Sequence, residues 1–210
     1  MRVLVVGGGG HAKVCIESLR DCGHDVVGAV TRDGNPVEGL GVSVLGSDDD
    51  LGAHASACGA DAVFVAVGDN VARRDLIERA TAGGLVLVSA VSRHAMVSQT
   101  ARLGDGAAVM AGAVVNADAV LGRGAVVNSR ASVDHDCTVG ECAHIAPGAV
   151  LCGGVEVGDG ALVGVGAKVL PNRRIGAGAV VGGGAVVADD VAASATVVGI
   201  PARGIERGVR

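Results

Sequence analysis

A histidine followed directly by a carboxylate is the part of this sequence best suited to acid–base chemistry. The pair is His135-Asp136, in the second half of the chain. A neutral imidazole accepts a proton near pH 7, and a neighbouring carboxylate can orient the ring and stabilise its charged form. The pair is therefore a candidate general base with its assistant. The alternative is a solvated surface histidine.

A glycine run near the N-terminus is the second candidate site. Gly7, Gly8, Gly9 and Gly10 follow a predicted strand and precede a predicted helix that starts at His11. Glycines in that position let the backbone approach a phosphate, while the helix N-terminus supplies free N–H groups and positive potential. The run also satisfies a dinucleotide fingerprint in its Ala form. The alternative is a tight turn that needs glycine.

Polar residues follow two further predicted strands of the same region. Asp33 comes just after the second strand, and Asp69 and Asn70 come after the third. Ligands of open α/β sheets collect at this edge, so Asp33 is a candidate for a ribose or base contact. Asp33 could equally make only a turn, and Asn70 could only cap a helix. Since the domain offers one mononucleotide half, a nucleoside diphosphate is favoured over NAD.

A six-residue repeat must position the histidine. From Val97 to Val187 every sixth residue, sixteen in all, is Val, Leu or Ile, and Ala fills most positions four residues later. A strict period of six with one branched and one small residue is typical of a parallel β-helix, in which both side chains point inward. Cys137 lies in the small register and is predicted to be a core residue.

The repeat also predicts what surrounds the histidine. His135 falls at a corner of the coil, and with three hexads per coil its stacked neighbours are Ala117 and Gly153. Two such small neighbours leave open space beside the imidazole. His144 falls at another outward position.

The first ninety residues alternate between strand and helix patterns, which predicts a small parallel α/β domain. The predicted strands are 2–6, 25–31, 61–67 and 85–91. Three helices are predicted: residues 11–22, a second from a Ser47 cap to about Cys58, and a third that begins after Asn70. Asp48, Asp49 and Asp50 would complement the N-terminal end of the second helix. We divide the chain into an α/β domain, 1–92, and a β-helix, 93–210.

Composition excludes several classes of partner. Net charge is −5 and no basic stripe is present, so nucleic acid is not expected. No segment resembles a signal peptide or a membrane span. The six cysteines form no CxxC pair, which fits reduced thiols in a cytoplasmic protein.

Several motifs together resemble one family over nearly the whole chain. The motifs are Gly7–Val14, Val67–Asn70, Val127-Asn128, Val133–Cys137, Gly164–Pro171 and Val198–Arg203. They resemble the sialic acid O-acetyltransferase group of sugar O-/N-acyltransferases. The likeness is strongest to N-acetyltransferases of nucleotide-linked 4-amino-4,6-dideoxy sugars, of the bacillosamine and perosamine type, which serve glycan biosynthesis.

The resemblance implies a left-handed β-helix, a homotrimer with an active site at each subunit interface, acetyl-CoA as co-substrate, and a nucleotide sugar held by the N-terminal domain. It implies His135 as general base and Asp136 as its assistant, where the family often has Glu. It implies that Asn128 positions the sugar amine. Acetyl-CoA would be lined by His144, from the adjoining subunit, and by the backbone at Gly153 and Val165. Gly8, Gly9, Gly10, His11, Asp33, Asp69 and Asn70 complete the predicted substrate site.

We therefore predict transfer of acetyl from acetyl-CoA to the 4-amine of a nucleotide-linked sugar, with no metal. The first alternative is O-acetylation of a sialic-acid-type sugar by the same histidine. A carbonic-anhydrase-like lyase needs three histidines on zinc, but the sequence has no H-x4-H pair. An NAD-dependent oxidoreductase and a non-catalytic scaffold are weaker alternatives. The residues leave open the nucleotide (UDP, GDP or dTDP), the sugar and the length of the acyl group.

Overall fold

The computed structural model describes residues 1–205, so the last five residues of the predicted domain 93–210 lie outside it. The N-terminal part is a four-stranded parallel sheet with strand order β3-β2-β1-β4 and three helices. Its elements are β1 (Arg2–Val6), α1 (Gly10–Asp21), β2 (Asp25–Thr31), β3 (Val44–Ser47), α2 (Leu51–Cys58), β4 (Ala62–Val65) and α3 (Asn70–Ala82). Aliphatic β1 is buried on both sides, as a central parallel strand requires.

Three details of this domain differ from the sequence prediction. Ser47 ends β3, a strand that was not predicted, and Asp50 caps α2 by accepting a hydrogen bond from the Ala53 N–H at 2.8 Å. Pairing of β3 with β2 outweighs the capping preference of Ser47. Asp69, rather than Asn70, caps α3.

The predicted strand over residues 85–91 is divided between the two halves of the molecule. Leu87 forms one bridge to Val63 of the sheet. The following Ala90–Val91 pairs with the β-helix instead. The first strand of the β-helix therefore begins at Ala90, three residues before the predicted start at residue 93.

The rest of the chain forms the left-handed parallel β-helix expected from the resemblance. Its strands are β5 (Ala90–Val91), β6 (Met96–Val97), β7 (Arg102–Leu103), β8 (Ala108–Val109), β9 (Val114–Val115), β10 (Val120–Leu121), β11 (Val126–Val127), β12 (Ser132–Val133), β13 (Thr138–Val139), β14 (His144–Ile145), β15 (Val150–Leu151), β16 (Glu156–Val157), β17 (Leu162–Val163), β18 (Lys168–Val169), β19 (Arg174–Ile175), β20 (Val180–Val181), β21 (Val186–Val187), β22 (Thr196–Val198) and β23 (Arg203–Gly204).

Three sheets make the faces of a triangular prism. The first face contains β5, β8, β11, β14, β17, β20, β22 and β23; the second contains β6, β9, β12, β15, β18 and β21; the third contains β7, β10, β13, β16 and β19. As far as β21, strands pair in parallel with the strand one coil away, eighteen residues on, as Val133 does with Leu151. At the end of the β-helix, β20 pairs with β22 sixteen residues on, and β23 pairs antiparallel with β22. From Val109 onward every aliphatic residue of the six-residue register is buried, and so is Cys137, which confirms the predicted core.

The N-terminal domain packs on the first face and on its edge with the third. Ile16 and Leu19 of α1 belong to the same buried cluster as Ala108 and Val126 of the β-helix. Ile77 of α3 belongs to a second cluster, together with Cys142. The two halves thus share apolar cores.

Candidate active site

His135 and Asp136 form a close pair on the edge between the second and third faces. They occupy the turn between β12 and β13, where Asp136 has φ of 59°. This left-handed conformation recurs in the turns of successive hexads, usually on Gly, and Asp tolerates it well. The Asp136 Oδ2 atom lies 2.7 Å from His135 Nδ1. The two side chains, adjacent in the sequence, are therefore joined by a hydrogen bond.

A second carboxylate, which sequence reasoning did not single out, fixes the turn. Asp134 Oδ1 accepts hydrogen bonds from the His135 backbone N–H and from Asn116 Nδ2, both at 2.8 Å. The hydrogen bond that His135 donates to Asp136 and the charge of Asp134 raise the pKa of His135 above its usual value. Both side chains are exposed to solvent, His135 by 62% and Asp136 by 66%. His135 is therefore set up as a stronger base than a free imidazole.

Gly153, one coil further along, lies directly against the His135 imidazole. A Cβ atom at this position would stand 2.5 Å from His135 Cε1 and 2.6 Å from Nε2. The ring therefore needs glycine one coil below it. Nε2 has no hydrogen-bond partner among residues 1–205 and is available to a substrate.

The glycine run divides into two structural and two open positions. Gly7 has φ of 126°, and Cβ atoms at Gly7 and Gly8 would clash with Ala66 O at 2.7 Å and with Thr31 Cγ2 at 2.6 Å. Cβ atoms at Gly9 and Gly10 would meet nothing within 4 Å. Packing explains the first two glycines, and open space at the start of α1 surrounds the other two. Such space at a helix N-terminus suits a phosphate.

A cleft of about 560 Å³ opens beside this run, where β1, β2 and β4 end. Its lining includes Gly7, Gly8, Val67 and Asp69 together with four charged residues that were not predicted to belong to the site, namely Arg32, Asp48, Asp75 and Arg79. Arg79 lies within 4.0 Å of both Asp48 and Asp75. Arg32 has no ion-pair or hydrogen-bond partner within residues 1–205. The cleft therefore offers one free cation to an anionic ligand.

The three polar residues predicted for this edge have different surroundings. Asp33 accepts hydrogen bonds from the Asn35 backbone N–H and Nδ2, which lower the pKa of its carboxyl. These contacts lie within its own turn. Asp69 lines the cleft while capping α3. Asn70 points to the β-helix, where Nδ2 donates to the carbonyls of Gly160 and Ala161.

His144, Asn128, His11 and Arg73 meet between the two halves of the chain, and we call them the interdomain cluster. His144 Nε2 lies 3.0 Å from Asn128 Nδ2, and its ring centroid lies 6.4 Å from that of His11. Burial, followed by the positive charge of Arg73, lowers the pKa of His144 to about 4. The same two causes lower the pKa of His11. Both rings are therefore neutral near pH 7.

Arg73 is the member of the cluster that sequence reasoning missed. It is 1% exposed, and its guanidinium bonds both halves of the chain. The signal was present: Arg73, Leu76, Ile77 and Ala80 follow the spacing of one helix face. A charge on that apolar stripe indicates a buried, fully bonded side chain.

One chain does not bring the predicted residues together. His135 and Gly153 stand on the edge opposite the first face, while Asn128 and His144 lie on that face beneath the N-terminal domain. Val165, which is exposed, follows β17 at the edge between the first and second faces. The predicted residues thus form two groups on different sides of one prism.

Residues 1–205 contain no grouping of three or more His, Cys, Asp or Glu side chains that could hold a metal ion. Within the same residues, no helix combines the length and the apolar character that crossing a bilayer requires.

Comparisons with known proteins cover nearly the whole chain. The model of the PglD N-terminal domain matches residues 2–80. A variant of perosamine N-acetyltransferase from Caulobacter crescentus, solved with CoA and GDP-perosamine, is 45% identical over 98% of this chain and 97% of that chain, with a TM-score of 0.93. The acetyltransferase domain of PglB from Neisseria gonorrhoeae, solved with acetyl coenzyme A, is 36% identical over 97% and 98%, with a TM-score of 0.88. WeeI from Acinetobacter baumannii is 25% identical over 98% and 100%, with a TM-score of 0.77. No curated protein matches the chain.

Proposed function

Because the chain belongs to the left-handed β-helix family of nucleotide-linked amino-sugar N-acetyltransferases, we propose that it acetylates the 4-amine of a 4-amino-4,6-dideoxy sugar carried on GDP. Acetyl-CoA is the co-substrate. The choice of GDP is supported by the Caulobacter relative, which is solved with GDP-perosamine. The contact that carries the proposal is the 2.7 Å pair of His135 and Asp136 on an open edge.

His135 acts as the general base of a direct transfer. The amine nitrogen attacks the thioester carbonyl carbon, and its proton passes to His135 Nε2 as the C–N bond forms. The C–S bond then breaks, and the imidazolium returns the proton to the CoA sulfur. Asp136 holds Nδ1–H and stabilises the imidazolium between these steps. No covalent acyl-enzyme is needed.

The nucleotide occupies the cleft at the ends of β1, β2 and β4. Its diphosphate takes the open space at Gly9 and Gly10, next to His11 at the start of helix α1, and Arg32 supplies the free cation. Asp69 borders the same cleft. Asp33 is assigned to the ribose or base. Asn70 holds the loop between β4 and α3 in place through its hydrogen bonds to the β-helix.

The active site is composite, made by neighbouring copies in a trimer. His135 and Gly153 on the edge of one prism would face Asn128, His144 and the N-terminal domain of the next copy. This arrangement accounts for the opposite placement of the two groups in one chain. A C3 ring repeats one such contact three times.

Acetyl-CoA lies between neighbouring prisms in this scheme, bordered by Gly153 on one side and by His144 and Val165 on the other. Residues 1–92 hold the nucleotide sugar, and residues 93–210 carry the acyl transfer. We assign the enzyme to the cytoplasm, where cysteine thiols stay reduced. The product would serve glycan biosynthesis.

The test is thiol release from acetyl-CoA with GDP-, UDP- and dTDP-linked 4-amino sugars, and with CMP-sialic acid and free sialic acid as O-acetyl acceptors. We expect strong turnover with the GDP-linked amino sugar. Turnover with sialic acid alone would replace the proposal by O-acetylation. A preference for UDP or dTDP would overturn the choice of GDP but would leave the proposed N-acetylation unchanged.

A further inference from the structure

Asn116 carries a polar side chain that the six-residue repeat does not require. Sixteen residues between 98 and 188 directly follow an aliphatic position of the repeat, and most of them are Gly or another small or apolar residue. Only Asn116, Asn128 and Asp134 among these sixteen carry an amide or a carboxylate. Asn128 is a predicted site residue, and Asp134 fixes the turn that carries His135. Asn116 stands one coil before Asp134 on the same edge of the prism and has no assigned role.

The Asn116 side chain donates a hydrogen bond to Asp134. Nδ2 lies 2.8 Å from Asp134 Oδ1, and since an ionised carboxylate can only accept, the amide must donate. The same Oδ1 atom accepts the His135 backbone N–H at 2.8 Å. The bond from Asn116, followed by the bond from the His135 N–H, lowers the pKa of the Asp134 carboxyl, which therefore stays ionised near pH 7. Two donors that converge on one oxygen from two coils fix the Asp134 side chain.

The backbone of Asn116 and Ala117 is anchored to the coil that carries His135. The Asn116 N–H donates to the Val133 carbonyl at 2.9 Å, and the Ala117 carbonyl accepts the Asp136 N–H at 3.0 Å. One dipeptide of the preceding coil thus holds the turn on both sides of His135. Asn116 does so through its side chain, and Ala117 does so through its carbonyl.

The exposed imidazole of His135 depends on this turn for its position. Its side chain is held only by the hydrogen bond to Asp136 and by contact with Gly153. The direction of the Cα–Cβ bond, which the backbone of the turn determines, therefore decides where Nε2 points. A displacement of about one ångström in a catalytic site can lower the rate by about a hundredfold. A residue that fixes the turn can therefore affect the reaction without touching the substrate.

We propose that Asn116 is a positioning residue for acetyl transfer. By holding Asp134 in its hydrogen bond to the His135 backbone, Asn116 keeps the turn in the conformation that directs His135 Nε2 at the substrate amine. Asn116 itself contacts no reacting atom. The proposal deepens the proposed function and rests on it for the role of His135 as the base.

The first experiment examines the turn without turnover. Hydrogen exchange of the His135 backbone amide is followed by 1H–15N spectra of the intact chain in wild type, Asn116→Ala and the matched control Ser98→Ala. Ser98 lies one coil further from Asp134 in the same column, and its own hydrogen bonds go to Thr100. We expect exchange to become about tenfold faster in Asn116→Ala, since one hydrogen bond changes an equilibrium by about this factor. Ser98→Ala should match wild type.

Equal exchange rates in Asn116→Ala and wild type would overturn the proposal. Because no substrate is present, failure of the proposed function would leave this measurement and its meaning for the turn unchanged.

The second experiment separates positioning from structural support. The kcat and the KM for acetyl-CoA are measured with the GDP-linked amino sugar for Asn116→Ala, Asn116→Asp and Ser98→Ala, alongside urea unfolding. We expect Asn116→Ala to lower kcat by about tenfold with an unchanged KM for acetyl-CoA. Asn116→Asp should lose more, although its side chain has the same size, because a second carboxylate replaces the donor and repels Asp134. Asn116 variants that unfold more easily but keep the wild-type kcat would overturn the proposal.

A double-mutant cycle tests whether Asn116 acts through Asp134. Asp134→Ala removes the acceptor of both hydrogen bonds, whereas Asp134→Asn keeps an oxygen that can accept them. We expect Asp134→Asn to retain more kcat than Asp134→Ala, and Asn116→Ala to cause no further loss in the Asp134→Ala background. Losses that multiply would show that the two residues act independently and would overturn the proposal. If Asn116→Ala does not fold, Asn116→Leu, which has a similar shape but no donor, takes its place in both experiments and in the cycle.

Discussion

The molecule places two histidines in opposite environments. His135 stands on a wet edge between two carboxylates, which raise its pKa. His144 lies under the N-terminal domain beside a buried arginine, and its pKa falls to about 4. The same side chain is thus made a base at one site and a neutral hydrogen-bonding group at the other. Neighbouring charge and burial, rather than residue type, determine which role each histidine can take.

The largest expected effect comes from removing the edge imidazole. His135→Ala should lower kcat by about a hundred- to ten-thousand-fold, because general-base catalysis contributes this much. Binding of CoA should stay close to wild type by calorimetry. His94→Gln, which changes another exposed histidine, is the control. Near-normal turnover of His135→Ala would contradict its role as the base.

A smaller loss should follow from tilting the imidazole without removing it. Gly153→Ala places a Cβ within 2.5 Å of His135 Cε1, so the ring must move. We expect kcat to fall by about tenfold to a hundredfold, since a displacement of one ångström can cost this much. Gly52→Ala in α2, where the new Cβ makes only an ordinary contact at 3.8 Å, is the matched control. Unchanged kcat in Gly153→Ala would show that the ring position is not critical.

Asp136→Asn should change the pH profile more than the rate. Asn tolerates the left-handed backbone of this turn but removes the carboxylate that raises the pKa of His135. The active form is the neutral ring, so activity is lost as pH falls through that pKa. The acid limb of kcat/KM should therefore move to lower pH, with kcat reduced on the order of tenfold. A limb that moves to higher pH would contradict the assignment.

The buried histidine should be visible in stability as a smaller effect. Because the pKa of His144 is lower in the folded chain than in the unfolded chain, the unfolded chain binds more protons between the two values. Stability should fall as pH drops from about 6.5 to about 4, by on the order of 3 kcal/mol from this group. His144→Gln should flatten that part of the curve measured by urea unfolding. An unchanged slope would show that His144 is not perturbed.

Much of the architecture could be predicted from the sequence because local repeats determine it. The six-residue register specifies the buried positions, and with three hexads per coil it also places Gly153 next to His135. Helix α1 was predicted to within one residue at each end. The strand Val44–Ser47 was missed because its pairing with β2 is a tertiary effect, and its four residues include a glycine.

The interdomain cluster could not be predicted in this way. Asn128 follows β11 and His144 lies in β14, which pairs with β11 one coil away, but Arg73 is distant from both in sequence, and only the packing of α3 on the β-helix brings it to them. The hydrogen bond between His135 and Asp136 depends on the left-handed backbone conformation of Asp136. The sequence does not indicate that conformation where the residue is not glycine. Contacts between repeats follow from a period, whereas contacts between domains do not.

The most direct test of the central claim is complementation between two inactive variants. His135→Ala and Asn128→Ala chains are co-expressed with different tags, mixed oligomers are isolated, and thiol release is measured with the GDP-linked amino sugar. If each site takes His135 from one copy and Asn128 from the next, every isolated mixed trimer keeps one of its three sites intact, and turnover should recover to about a third of wild type. Mixed oligomers as inactive as the two parents would place both residues in sites within one chain and contradict the composite active site.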